Sequence, residues 1–342
     1  TREELERRIK KVQSDMVVSM FKVVRLNFLQ KEAFLATLPL NLLDNFIYSK
    51  SRRNMLASTA SYMYPFTAFE LSNDDGIVFG VNAINGSIAT LDVFNSKKYT
   101  NYNGLILGSS GSGKTFTMQV FATRLRLKNI QTIIVAPLKG HEFRSGAEAI
   151  GGSYIQIAAG SRHCINVFDV REPKLTEEEL IDMENGGEDP RTPALVSKKE
   201  QLNTFFSLLL DNPTKPNLRE AEEAVSEMYA EFGITDDNAS LYNIRGVYKK
   251  MPTFSDLDKV LERRIKQGFP NASYIREEIR IFIDGSLKSL NGQTNVDLDN
   301  DYVVLDISRL NKNNITTGMF IALDYSWDMI RSDVSKKKVI FL

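Results

Sequence analysis

The stretch Gly108-Ser109-Ser110-Gly111-Ser112-Gly113-Lys114-Thr115 decides the reading of this chain. It fits the pattern G-x-x-x-x-G-K-[ST] at every fixed position. Before it, Leu105, Ile106 and Leu107 form a short apolar run suited to a buried strand. After it, Phe116, Met118, Val120, Phe121 and Leu125 fall at spacings that let a helix bury one side. The expected unit is strand, glycine-rich turn, helix.

The residue types explain the chemistry. A backbone can wrap a polyanion only where side chains do not intrude. Gly108, Gly111 and Gly113 allow that approach and the positive φ angles of the turn. Together with Ser109, Ser110 and Ser112 they present backbone N–H groups, and the helix N-terminus adds its partial positive charge. Lys114 is placed to reach the β- and γ-phosphates, and the Thr115 hydroxyl to ligate Mg²⁺. Phe116 completes the set of expected nucleotide contacts. The ligand this pattern implies is ATP with Mg²⁺.

At 342 residues the chain exceeds one average domain. Its composition, 42% hydrophobic and 25% charged, is that of a globular protein with a sizeable core. Basic and acidic side chains balance at 43 each, so net charge makes no case for a polyanionic partner. The single cysteine, Cys164, excludes an intramolecular disulfide and suits a reducing compartment. Two histidines, His141 and His163, argue against a Cys/His zinc site. No apolar run approaches the ~20 residues of a membrane span. The charged N-terminus lacks the apolar core of a signal peptide.

Residues 1–36 read as one long helix, with Ile9, Val12, Met16 and Val23 at three- and four-residue steps. The pattern starts abruptly, so the protein is expected to continue upstream. Residues 77–94 read as a hairpin, Ile77, Phe79 and Val81 alternating on one strand, Ile88 and Thr90 on the other, with Asn85-Gly86 as a type I′ turn. It is expected to cover a sheet edge or the nucleotide base. Thr132–Val135 is a second buried strand, ending in the loop Ala136–Glu142. Ligands of a parallel sheet bind at such C-terminal strand ends, so His141 and Glu142 are site candidates. Tyr154–Ile157 is another strand. His163-Cys164 lacks a third orienting residue and is set aside as a nucleophile pair.

From 172 to 290 the texture is helical. Thr176 with Glu179, Thr192-Pro193, Asn217 with Glu220, and Ser255 are the expected helix starts, with Gly233 and Gly268 as stops. Glu184–Pro193 reads as a loop. These helices carry their own apolar faces, so the block is expected to be removable. Tyr302–Ile307 is then a strand, 315–330 a helix carrying Met319, Leu323, Trp327 and Ile330, and Val339–Leu342 an apolar strand. An ATPase of this kind holds its Mg²⁺ shell with a carboxylate at a strand tip. Lys338–Leu342 looks like that strand without its acids, because four unbroken apolar residues suit a central strand. Asp306 is the rival. If the terminal strand is the right one, this chain is expected to bind nucleotide, hydrolyse it poorly, and gain turnover from downstream residues.

Tyr64-Pro65-Phe66, Gly76-Ile77-Val78-Phe79-Gly80, the glycine-rich loop, Lys139-Gly140-His141-Glu142-Phe143, Gly151-Gly152-Ser153-Tyr154-Ile155, Ile165-Asn166-Val167-Phe168-Asp169 and, later, Thr294-Asn295-Val296-Asp297 with Val303-Val304-Leu305-Asp306-Ile307-Ser308 occur in one order. Over roughly residues 30–342 that order resembles the VirB-type conjugal-transfer ATPases of type IV secretion systems, the fourth VirB component, in the HerA–FtsK branch of RecA-like motors. The loop alone is common to many ATPases; the ordered set is more specific.

The resemblance implies an α/β fold: a RecA-like P-loop NTPase core with an inserted all-helical subdomain. Its divisions would be 1–64 as the C-terminal end of an N-terminal domain or linker helices, 65–171 as the first part of the core, 172–290 as the insertion and 291–342 as the second part, stopping before the expected strand-tip acids. It implies ATP hydrolysis that powers pilus assembly and substrate transfer. It also implies hexamers at the inner face of the cell membrane, in the cytoplasm, among other secretion components. Lys114 and Glu142 carry over as catalytic residues. Ala136 stands where the family often has Asp, the later glutamine motif has no counterpart, and no motif assigns the arginine finger, for which Arg144, Arg162 and Arg309 near strand ends are the candidates. Two alternatives stay open. One is a HerA- or FtsK-type DNA-translocating ATPase or conjugative coupling protein, in contact with DNA. The other is a nucleotide-binding scaffold that does not hydrolyse.

Overall fold

The computed structural model describes residues 1–18, 23–40, 42–52, 54–62, 72–172, 174–175, 179, 181, 193–297 and 299–342. The chain divides into two units, Thr1–Glu70 and Leu71–Leu342. In the first, α1 (Arg2–Val18) and α2 (Gln30–Thr37) are separate helices, which corrects the reading of one helix over 1–36. Arg25 Nη1 meets Glu6 Oε1 at 2.8 Å; a continuous helix would hold them about 28 Å apart. The chain therefore doubles back, and Phe28, at φ 61°, turns it into α2. Asp44 opens α3 (Asn45–Ser51) by accepting from the N–H groups of Phe46 and Ile47. α4 (Ala57–Ser61) follows.

The second unit begins with β1 (Ile77–Val81) and β2 (Ile88–Leu91), paired antiparallel. The hairpin is as expected and its turn is not. A six-residue loop closes with Asn82 N–H donating to Ser87 O at 2.8 Å. Within it only Gly86 has a positive φ, 71°, whereas a type I′ turn needs two such residues. A bulge between Val78 and Gly80 breaks the alternation, so Ile77 is buried while Phe79 and Val81 are exposed.

Four strands form a parallel sheet: β3 (Gln131–Ala136), β4 (Ser153–Gln156), β5 (Tyr302–Asp306) and β6 (Lys338–Phe341), in the spatial order β4-β5-β3-β6. Thr132 stands opposite Tyr302, Ser153 opposite Val303 and Gln131 opposite Lys338. One face packs Ile134, Ala136, Tyr302 and Val304 against Ala122 of α5 (Lys114–Leu127) and Ala147 of α6 (Arg144–Ala149). The other presents Ile133, Val135, Ile155, Val303 and Leu305. Burial on both faces is why β3 and β5 are apolar without alternation.

Between β4 and β5 come α7 (Ala194–Leu209), α8 (Lys215–Glu231), α9 (Phe254–Lys266) and α10 (Ala272–Ile283); α11 (Ile315–Ser332) joins β5 to β6. The helix starts shift from those expected. Thr214 with Asn217, and Thr253 with Asp256, form the capping boxes of α8 and α9, and Pro193 is the N-cap residue of α7. Glu220 is freed from capping and buried against Arg264, Nε to Oε1 at 2.6 Å. Gly233 and Gly268 end their helices at φ 64° and 92°. On α11 the buried face is Ile321, Tyr325 and Met329, and Trp327 points outward. The expected cap at Thr176, the Thr192 cap and most of the loop 184–193 lie outside the described residues.

The helices do not keep their apolar faces to themselves. Phe205, Phe254, Phe282 and Met228 belong to the same core as Ile133, Val135 and Leu305 of the sheet. Phe205 meets Phe320 of α11 at 5.7 Å, and Phe168 meets Phe254 at 4.8 Å. Excising the block would uncover that shared core, so its expected removability does not follow.

A charged cluster fastens the block to α11. Lys198 of α7 is 4% exposed and bonds Asp324 Oδ2 at 2.7 Å. Asp328, one turn further along α11, faces the same lysine. Burial raises its carboxyl to about 6; Lys198 lowers it, Asp324 and Asp169 raise it, and Arg331 lowers it. A carboxyl raised in the fold binds its proton more tightly folded than unfolded. Its contribution is therefore most favourable below the ordinary aspartate range and is lost as pH rises through about 6. Asp328→Asn should stabilise the protein by about 1–2 kcal/mol at neutral pH and flatten the stability profile between about pH 4 and 6. Urea melts across that range check it; an unaltered slope would count against the cluster.

Candidate functional site

The glycine-rich loop precedes α5, whose first residue is Lys114. Gly111 and Gly113 sit at φ 79° and 87°, a region that side chains with a Cβ rarely occupy. A Cβ on Gly108 would come within 2.4 Å of Ser112 Oγ. Lys114 folds back over the loop, its Nζ donating to the carbonyls of Gly108 and Ser109, each at 2.8 Å. Thr115 is half-buried in the first turn, and Phe116 is 69% exposed. The loop thus presents a cation and the free N–H end of a fourteen-residue helix at one place.

The strand expected before the loop is absent. Leu105, Ile106 and Leu107 are 81%, 44% and 81% exposed and pair with no strand among the described residues. An apolar run becomes a buried strand only when a neighbour supplies hydrogen bonds and a layer covers it. The hairpin packs instead on α5: Phe79 meets Phe121 edge-on at 5.9 Å, and Arg124 donates to Val78 O.

The loop after β3 lies beside α5. Lys139 adopts φ 55°, and Gly140–Phe143 forms a 3₁₀ turn. Gln119 Nε2 of α5 donates to Glu142 O at 2.9 Å. The Glu142 carboxylate is exposed and lies 3.5 Å from Lys139 Nζ. His141 is exposed. Structure thus brings Glu142 to the helix that carries Lys114 and Thr115.

Asp306 takes a different place from that of an exposed strand-tip acid. β5 and β3 are the fully buried inner strands, while β6 is half-buried at the edge of the sheet formed by the described residues. The expectation that the apolar run Val339–Leu342 is central is corrected accordingly. Asp306 has no exposed surface. Its Oδ1 accepts from Ser308 N–H at 2.9 Å; its Oδ2 accepts from Tyr154 O–H and from Gln156 Nε2 at 3.3 Å. Burial would raise its carboxyl, but these donors outweigh burial and hold it below the ordinary aspartate range. Burial, and then this hydrogen bond, push the Tyr154 phenol up to about 12. Both carboxylate oxygens of Asp306 are thus held by donors within the protein.

His163 and Cys164 are structural. His163 Nδ1 accepts from Gln156 N–H at 2.9 Å, and burial lowers its basicity. Burial and the charge of Asp169 push the Cys164 thiol up to about 11. Arg144 is tied to Glu148 at 2.8 Å, whereas Arg162 and Arg309 are exposed. Among the described residues no group of three His, Cys, Asp or Glu could hold a metal ion by itself, and no helix is long and apolar enough to cross a membrane.

No protein-family model matches the chain, and no curated protein sequence does. Among solved structures, VirB4 of Thermoanaerobacter pseudethanolicus is similar at 25% identity with a TM-score of 0.65, over 80% of this chain and 68% of that one. The likeness in fold agrees with the family named from the ordered motifs, and the chain resembles a VirB4-type ATPase of type IV secretion.

Proposed function

We propose that this chain binds ATP with Mg²⁺ at Gly108–Thr115 and hydrolyses it as the motor of a type IV secretion or conjugation apparatus, powering pilus assembly and substrate transfer. The observation that carries the reading is Lys114 at the start of α5, folded over a loop whose glycines adopt left-handed angles. Such a loop offers amides and a cation to a triphosphate. Ser109, Ser110, Ser112 and Phe116 line its approach. The parallel sheet, with α5 on one face and the 172–290 helices beyond the other, fits a RecA-like P-loop core with an inserted helical subdomain.

Magnesium in such sites is held by substrate phosphates, waters and a few protein oxygens, and Thr115 at the first turn would supply one of them, beside a strand-tip carboxylate. When bound, the ion would neutralise charge between the β- and γ-phosphates. Lys114 would hold the phosphates, and Glu142 would orient a water or accept its proton. Assembly as a hexamer, peripheral location at the inner membrane face and contact with other secretion components belong to the same proposal.

Titration of the chain with ATP and with ADP, each with and without Mg²⁺, tests it. Binding in the micromolar range is expected, tightened by Mg²⁺, with Thr115→Ala losing most of the Mg²⁺ effect. No binding at millimolar nucleotide would reject the reading.

A further inference from the structure

The Lys139–Phe143 turn is gripped from two sides. On one, Gln119 reaches from α5 to the Glu142 carbonyl, at 2.9 Å. Gln119 lies five residues beyond Lys114, about 7.5 Å along the helix axis, so it joins this turn to the helix that begins at the loop. On the other side, Gly140 rests on Asp306. A Cβ at Gly140 would stand 1.9 Å from Asp306 Oδ1, so only glycine lets the turn sit this deep. Asp306 is itself immobilised by Tyr154, Gln156 and Ser308. Phe143, buried beside Ala136 and Ala147, anchors the far end of the turn.

Gln119 has other partners open to it, since it is partly solvent-accessible. Its reach across to a backbone carbonyl of another element fixes the height of the turn against α5. We infer that Gln119 and Asp306 are positioning residues that clamp the Glu142 turn to the phosphate-binding helix, so that occupancy of the Gly108–Thr115 loop is transmitted to Glu142. This rests on the nucleotide-binding reading above. Asp306 thereby acquires a role through Gly140.

Hydrogen–deuterium exchange of the whole chain, with and without Mg²⁺–ADP, tests the inference. In the wild type, ADP should slow exchange in both 108–118 and 138–143. In Gln119→Ala it should slow only 108–118, while exchange in 138–143 without nucleotide rises about fivefold or more, as expected for one lost hydrogen bond. Gln119→Lys keeps a donor of similar reach and should preserve the coupling. Gln119→Glu sets a carboxylate against a carbonyl and should abolish it. A merely structural role would lower the melting temperature of all three variants together and leave no such donor dependence. Equal protection of 138–143 by ADP in wild type and Gln119→Ala, or no protection there in wild type, overturns the inference. If ADP fails to protect 108–118 in the wild type, the nucleotide reading fails instead. The clamp is then judged by nucleotide-free exchange of 138–143, and an unchanged rate in Gln119→Ala overturns it.

Discussion

Replacing Lys198 with methionine should destabilise the Leu71–Leu342 unit by about 3–5 kcal/mol, the usual cost of breaking a buried ion pair from one side. The ammonium lies 2.7 Å from Asp324, with both side chains almost wholly out of water. Burial by itself would lower the lysine's basicity, but Asp324 and Asp328 outweigh that and raise it, so it is charged at neutral pH. Methionine fills the same space and leaves Asp324 without its cation, beside Asp328 and Asp169. The loss should appear in urea melts at neutral pH and shrink in acid, where the carboxylates take up protons. Lys198→Met combined with Asp324→Leu should recover much of it, since an apolar pair replaces both charges. A single-variant cost under about 1 kcal/mol would mean that the pair is solvated in solution and does not fasten the helices.

Lys114→Ala should reduce ATP turnover by at least about 100-fold while shifting the melting temperature by only a few degrees. The first figure follows from removing a cation aimed at the transferred phosphate, where electrostatic stabilisation of the transition state is worth several kcal/mol. The second follows from the contacts Lys114 makes without nucleotide. These are hydrogen bonds to Gly108 O and Ser109 O at an exposed loop, where water can replace the ammonium. Steady-state turnover and thermal melting separate the two effects. Unchanged turnover rejects the catalytic role of the loop, and a large drop in melting temperature makes the lysine a structural strut.

Much of this protein was legible from local chemistry. Gly108–Thr115 is a complete short pattern, and its left-handed glycines and helix start require only the residues themselves. The apolar stretches Thr132–Val135 and Tyr302–Leu305 became strands because an unbroken run of branched residues has few other uses. Gly233 and Gly268 ended helices because no other residue adopts those angles as cheaply. Cap positions slipped by a few residues, Thr214 for Asn217 and Thr253 for Ser255, because several neighbours in each stretch can cap and only the packing of the helix selects one.

What the tertiary structure decided was partnership. Leu105–Leu107 and Val339–Phe341 look alike in sequence, yet the first is exposed and unpaired and the second lies in a sheet, because strand formation depends on an edge contributed by distant residues. Glu220 reads as the capping partner of Asn217, and Lys198 carries no signal in its helix; they are buried because Arg264 and Asp324, 44 and 126 residues away, meet them. Asp306 reads as a metal-ligating acid by its place after a strand, and the fold turns it toward Tyr154, Gln156 and Gly140. Gln119 carries no signal in its helix at all; its reach to Glu142 exists only because β3 ends beside α5. Local sequence fixes backbone angles and apolar runs through steric and hydration effects of neighbouring residues. The partner of a buried charge or a strand edge is set by contacts across the chain, which no local window contains.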